Sequence, residues 1–187
     1  MANIDAAFGL RAIGKVGQNR DNQGLSEYGI AASSTAIYQN DPIMMAATGK
    51  IIVGTAAAVL LGSLNGVFFT DATTGKPTYA NHLNASNTAS DIVGFVSDDP
   101  YERFEIQSDA AFAVADIGKN ADLVYAAGST PNFVSKVELD HSDLKTATAQ
   151  LRVIGISKDP ENNEAGAVDV NAVVIINEHF LKGTVGI

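Results

Sequence analysis

Cysteine and tryptophan are both absent from the sequence, and basic residues are few, with 12 Lys and Arg against 21 Asp and Glu among 187 residues. The absence of cysteine excludes a disulfide-stapled scaffold, a thiolate zinc site, an iron–sulfur protein and a thiol nucleophile. The net charge of −9 argues against a nucleic-acid partner, because affinity for phosphates comes mainly from basic residues. A chain of this length that folds as one domain buries roughly 70% of its unfolded surface, so it needs no covalent staple.

The apolar residues favour strands. The sequence has 16 Val and 15 Ile against 11 Leu, and β-branched side chains pack well on a pleated surface. Short apolar runs alternate with Gly, Asn and Asp, which is typical of many short strands joined by turns. We therefore expect an all-β fold, a β-sandwich or barrel-like body of many short strands with at most one short helix.

The segments that we predict as strands share an apolar run bounded by turn residues. They are 35–38, 42–46, 50–53, 59–61, 67–70, 92–96, 103–106, 123–125, 134–139, 151–156 and 170–176. The last segment alternates over its whole length, which predicts a central strand with both faces largely covered. The short helix is predicted within 141–150, where Ser142 or Asp143 is expected to cap it.

Residues 51–69 form 19 uncharged positions, the length at which a membrane-spanning helix must be considered. Gly54 and Gly62 interrupt this run, and neither a tryptophan belt nor a basic cluster flanks it. Asn65-Gly66 between apolar residues is a tight-turn signal. We therefore predict short buried strands here, and a soluble protein without a membrane partner.

Residues 1–34 differ from the rest of the chain, because they are rich in Gly, Asn and Gln and contain no long apolar run. Arg11, Lys15 and Arg20 give this segment a basic patch, whereas residues 98–122 hold seven acidic and two basic residues. We divide the chain into an extended N-terminal arm, residues 1–34, and a β-rich body, residues 35–187. One interpretation is a frayed tail beside a solvated acidic surface, and the other is a basic arm that orders on a neighbouring subunit.

No catalytic motif stands out. Gly49-Lys50 and Gly75-Lys76 lack the remaining residues of a phosphate-binding loop. The three histidines, His82, His141 and His179, have no second ligand at a metal-binding spacing. We therefore predict that the chain is not an enzyme and that it has no catalytic residues, no metal site and no cofactor.

Two acidic clusters contain oxygen ligands of the kind that Ca²⁺ takes. They are Asp98-Asp99 with Glu102 and Glu105, and Asp159 with Glu161, Asn163 and Glu164. The second cluster lacks the glycine that an EF-hand loop has at its sixth position. Since residues 103–106 alternate between charged and apolar, as in a strand with one face in water, we favour solvated charges over a cation site and leave the cation site open.

Three segments resemble each other, IVGFVSDDP at 92–100, VIGISKDP at 153–160 and, more loosely, LNGVFFTD at 64–71. Each is an apolar run with one glycine, followed by a polar break. The spacing between the glycine and the break varies, so we interpret the similarity as a shared way of ending a strand and not as a structural repeat.

The order of several segments points to a known family. They are AAFGLR at 6–11, TAIYQNDPI at 35–43, LLGSLNGVFFTDATTGKPTY at 60–79, DIVGFVSDDPYERFEIQSD at 91–109, DIGKNADLV at 116–124, and LRVIGIS with VVIINEHF within 151–180. In this order the chain resembles small virion structural proteins of tailed bacteriophages, especially those of marine and cyanobacterial hosts. The resemblance covers most of the chain, and related chains often carry Trp where this one reads YANHL at 79–83.

The resemblance implies a capsid decoration (cement) protein on the virion, made in the host cytoplasm and commonly a homotrimer. Its partner is then the major capsid protein, whose subunits it clamps from outside against the pressure of packaged DNA. Within the arm, the residues that we predict to contact the shell are Phe8, Leu10, Arg11 and Lys15. The alternative is a head-fibre or tail module that binds a receptor or glycan, although the chain lacks the tryptophans that often form sugar-binding platforms.

Overall fold

The computed structural model describes residues 3–17, 24–32, 34–128 and 130–183. The strands in this part of the chain are β1 (Arg11–Lys15), β2 (Ser26–Gly29), β3 (Pro42–Met45), β4 (Ile51–Val53), β5 (Gly62–Thr70), β6 (Pro77–Ala80), β7 (Val93–Ser97), β8 (Glu102–Gln107), β9 (Asn120–Ala121), β10 (Leu123–Val124), β11 (Glu138–Leu139), β12 (Leu151–Ile156) and β13 (Asn171–Ile176). Single 3-10 turns lie at Val114–Asp116, His141–Asp143 and Phe180–Lys182. The predicted all-β fold is confirmed.

The strands form antiparallel sheets, consistent with a β-sandwich of many short strands. A five-stranded sheet has the order β1-β8-β13-β12-β9, and a six-stranded sheet has the order β2-β7-β5-β3-β4 with β6 also paired to β5. The short strands β10 and β11 pair with each other. Short turns that contain Gly or Asp join β3 to β4, β5 to β6 and β7 to β8, whereas most of the other connections are longer loops.

Each large sheet covers its own apolar cluster. Phe104, Leu151 and Val174 lie in the cluster of the five-stranded sheet, and the six-stranded sheet has a separate cluster of buried Ile, Leu and Val side chains. Leu60 belongs to the first cluster and its neighbour Leu61 to the second. Two consecutive side chains therefore connect the two cores.

The N-terminal segment is part of both sheets. Its first strand, β1, pairs with β8 at one edge of the five-stranded sheet, and β2 pairs with β7 in the six-stranded sheet. The predicted boundary at residue 34 therefore does not separate an arm from the body in the described residues. A segment that is too polar to fold alone acquires its structure by adding edge strands to sheets that the rest of the chain builds.

Several local predictions need correction. The expected helix is only the 3-10 turn His141–Asp143, and Asp140, not Ser142 or Asp143, accepts the capping hydrogen bond from the backbone N–H of Asp143. The Asn65-Gly66 pair is not a turn, because β5 runs through it with a bulge between Leu64 and Gly66. Strand β13 has one buried face and one half-exposed face, on which Val173 and Ile175 lie.

The three similar segments do end strands. Strand β7 ends at Ser97, β12 at Ile156 and β5 at Thr70, each just before the polar break. Among the described residues, no helix has the length and apolar character that a membrane crossing needs.

Candidate functional site

The AAFGLR segment passes through a tight space. Gly9 has a φ of +74°, and a Cβ atom there would lie 2.5 Å from the Cβ atom of Ser135, so this position requires glycine. Leu10 follows and is wholly buried in the core of the five-stranded sheet. Its carbonyl oxygen accepts a hydrogen bond from Ser63 Oγ at 2.6 Å, which fastens the segment to β5.

The next residues of the segment are held by charge. The Arg11 guanidinium forms an ion pair with Glu105 on the neighbouring strand β8, and it also lies 4.4 Å from the centre of the Phe8 ring. Glu105 is almost fully buried, so its carboxylate needs this partner. Arg11 therefore satisfies a buried acid of its own chain.

Lys15 also finds its acid within the chain. Its ammonium group pairs with Asp99. Partial burial raises the pKa of Asp99, but the hydrogen bond and charge of Lys15 and the backbone N–H of Tyr101 outweigh it and hold that pKa below its usual value. The basic N-terminal segment therefore docks on the acidic segment 98–122, as their opposite charges suggested. In this structure both segments belong to one chain.

The four residues predicted to contact a shell have different environments. Leu10 is buried in its own core and presents no surface to a partner. Phe8 and Lys15 are half-buried, and Arg11 is exposed beside its ion pair. Their contact with a shell stays a prediction, while their contacts within the chain are clear from the geometry.

Residues before Phe8 cover part of the outer face of the five-stranded sheet. Gln107 at the end of β8 donates to the Ile4 carbonyl at 2.8 Å and accepts from the Ala6 N–H at 2.9 Å. Asn162, which is buried, also donates to the Ile4 carbonyl at 2.8 Å. The N-terminal segment thus covers the part of this face around Gln107, at the end of β8.

No segment among the described residues covers the other half of the same sheet face. We call it the open face, and it consists of side chains from β1, β8, β12 and β13 and the residue that follows β1: Ile13, Val16, Arg103, Ile154, Val173 and Ile175. Arg103 lies opposite Ile175 on the neighbouring strand. Two shallow depressions of about 630 Å³ and about 380 Å³ lie on it, and Arg103 and Ile154 line both. A sheet face in water is normally polar, so these aliphatic residues are unexpected.

A group of three carboxylates lies elsewhere, where residues distant in sequence meet. Oxygens of Asp5, Glu138 and Asp169 all lie within 4.8 Å of one another. Burial raises the pKa of Glu138, and the negative charges of Asp109, Asp5 and Asp169 raise it further. The sequence did not predict this group, because its members are separated by 30 or more residues and no motif spacing links them.

The acidic residues that the sequence did single out are mostly engaged with their own chain. Asp98 accepts hydrogen bonds from Ser26 Oγ at 2.9 Å and Tyr28 Oη at 2.6 Å. Burial and this contact raise the pKa of Tyr28 to about 12. Asp159 accepts from the backbone N–H of Glu161 at 3.1 Å, as in an ordinary turn.

An apolar cavity of about 540 Å³ lies beside β4 and β10. Its walls are mainly Ala, Val and Leu side chains, with Tyr38, Asp41, Thr55 and Tyr125 as polar residues. Burial raises the pKa of Asp41 and also that of Tyr125. Gln150 donates to Tyr125 Oη at 3.3 Å, and the N–H of Tyr38 donates to Asp41 at 2.7 Å. These polar groups are held in place by the fold and serve its packing.

Aromatic rings line up on the outer face of the six-stranded sheet. Tyr79 on β6 is 75% exposed, and its ring centre lies 4.8 Å from that of Phe68 and 6.4 Å from that of Phe95. Gly66 on β5 lies opposite Phe95 and has no side chain, so the rings of β6 and β7 approach each other across it. We call these three rings the aromatic row.

Comparison with known proteins adds no family. A scan against protein-family models and searches of curated proteins and of solved structures all returned no match.

Proposed function

We propose that this chain is a capsid decoration (cement) protein of a tailed bacteriophage, which binds the outer surface of the shell and clamps neighbouring major capsid protein subunits. The order of its sequence segments resembles that family, and the all-β body agrees with what the resemblance implies. In this proposal the chain is a non-enzymatic homotrimer on the virion surface, with the major capsid protein as its partner.

The observation that carries the proposal is the open face. A protein that braces a shell needs a rigid body and a broad contact surface. Strand β1, anchored by the preceding Leu10 in the core, reinforces the sheet edge. The exposed aliphatic residues of the open face supply apolar surface that a partner can bury favourably. Many copies, each with a modest interface energy, then resist the pressure of packaged DNA together.

A second candidate function is favoured by one observation. The aromatic row exposes Tyr79 at 75%, and exposed aromatic rings are suited to stack on the apolar faces of sugar rings. A head-fibre or tail module that binds a glycan would use such a surface.

Copy number separates the two functions. On a gel of purified virions, a decoration protein approaches the abundance of the major capsid protein, whereas a fibre or tail protein is rare. Near-stoichiometric abundance is the result that we expect. Low abundance, or absence from the particles, would refute the proposed function.

A further inference from the structure

We propose that the open face of the five-stranded sheet is the surface that docks on the shell, and that the shell protein presents a carboxylate between aliphatic side chains at this place. The inference rests on the proposed function and deepens it, because it names the contacting residues and the chemistry of the partner. It also moves the predicted contact from Phe8, Leu10, Arg11 and Lys15 to a sheet face that includes Ile13 and Val16 of the same segment.

Three of the aliphatic side chains of the open face are too exposed to serve this chain's own core. Ile13, Val16 and Ile154 are 45%, 51% and 37% exposed. They come from three places, the bulge of β1, the residue after β1 and the bulge of β12. A contiguous patch of exposed apolar residues often marks an interaction site, whereas single exposed apolar residues are common on any protein surface.

The side chain of Arg103 lies at the centre of this face. Among the residues that the structure describes, its guanidinium has no hydrogen-bond acceptor and no ion-pair partner, and its Nε atom is buried. An unsatisfied buried donor is unfavourable, and the planar guanidinium is suited to bind a carboxylate through two parallel hydrogen bonds. Arg103 and Ile154 line both depressions. A partner whose carboxylate binds Arg103 would therefore place the side chains beside that carboxylate against Ile154 and Ile175.

The charge around Arg103 also points to an acidic partner. All three arginines of the described residues, Arg11, Arg103 and Arg152, lie on this side of the sheet, and Lys158 lines the smaller depression. Of the two acids on the same strand, Glu105 is already paired with Arg11, and Glu102 accepts a hydrogen bond from the backbone N–H of Gly14. The open face is therefore locally positive on a chain of net charge −9, and complementary charge steers and orients a protein partner.

The test measures binding of the full-length chain to decoration-free shells, assembled from the major capsid protein of the same genome. The variants are Arg103→Gln, Ile154→Ala and Ile154→Asp. Matched controls are Lys136→Gln, at an exposed cation away from the open face, and Val59→Asp, at a side chain that is 49% exposed. Thermal melts of each free variant show that it is folded before binding is measured by co-sedimentation.

We expect Arg103→Gln and Ile154→Asp each to weaken shell binding by about tenfold or more, because each removes a central interface residue. Ile154→Ala is expected to weaken binding less. Both controls are expected to bind within about twofold of the unchanged protein. If the unchanged protein does not bind shells, the proposed function fails and this docking site fails with it. If it binds and the open-face variants bind equally well, the docking site is wrong and the proposed function stands.

The sedimentation of the free protein gives one more outcome. If Ile154→Asp dissociates an oligomer of the free chain but leaves shell binding unchanged, the open face joins copies of this chain to each other. That result would overturn the proposal of a shell contact.

Discussion

Leu10 is the residue that ties the N-terminal strand to the core. Its side chain is wholly buried in the cluster of the five-stranded sheet, so Leu10→Ala leaves a cavity and is expected to lower the free energy of unfolding by about 2 to 5 kcal/mol. The control is Ile13→Ala, three residues later and within β1, where the side chain is 45% exposed and the expected change is about 0.5 kcal/mol or less. Urea denaturation of both variants measures the difference, and equal effects would contradict the placement of Leu10.

His179 makes stability depend on pH. Its Nδ1 atom accepts a hydrogen bond from the Leu181 N–H at 3.1 Å. Burial, with the charge of Lys182, lowers the pKa of His179 from 6.5 to about 4, although the carboxylates of Asp98 and Asp99 oppose the shift. Because the folded state favours the neutral ring, this stability is fully present above pH 6.5 and is lost as the pH falls toward 4.

The expected loss between pH 7 and pH 5 is about 2 kcal/mol. His179→Gln has no ring to protonate and is expected to flatten the pH dependence in this window, while His141→Gln, at a half-exposed histidine, is expected to retain it. Chemical denaturation at a series of pH values measures both. An unchanged slope in His179→Gln would show that another group is responsible.

At the scale of elements, the N-terminal strand is a structural part of the five-stranded sheet. Deletion of residues 1–17 removes Leu10 from the core and leaves the edge of β8 unpaired, so we expect a loss of at least about 2 to 5 kcal/mol of stability and self-association through the exposed edge. The matched control, Ile13→Ala with Val16→Ala, keeps β1 and its ion pairs and shortens only two side chains that are 45% and 51% exposed. A truncated protein that melts at the same temperature as the full chain and does not self-associate would contradict this account.

Strands with a strong apolar pattern were predictable, and polar edge strands were not. The segment 151–156 coincides with β12, and 170–176 contains β13, because both alternate and both supply core residues. Strands β1, β2 and β6 escaped prediction because pairing with a neighbouring strand, and not their own apolar content, makes them strands. Asn65-Gly66 carried a turn signal, but pairing on both sides of β5 turned it into a bulge.

At the scale of the whole molecule, complementarity between the basic N-terminal segment and the acidic segment 98–122 was visible in the sequence. The sequence alone did not indicate whether the basic and the acidic segment pair within one chain or between two subunits. The ion pairs Arg11–Glu105 and Lys15–Asp99 place both segments in one chain. The open face was not predictable either. Arg103, Ile154 and Ile175 come together only through the order of strands in the sheet, and alternation alone suggested that β13 would be covered on both sides.

A reconstruction of the virion by electron cryomicroscopy tests the central claim most directly, because it locates the chain and shows which face it turns to the shell. We predict density for the β-sandwich at many equivalent positions on the outer surface of the capsid, with Arg103 and Ile154 directed inward against an acidic region of the major capsid protein. Density at the tail or on fibres alone, or a capsid-bound sandwich whose open face points to solvent, would contradict the account.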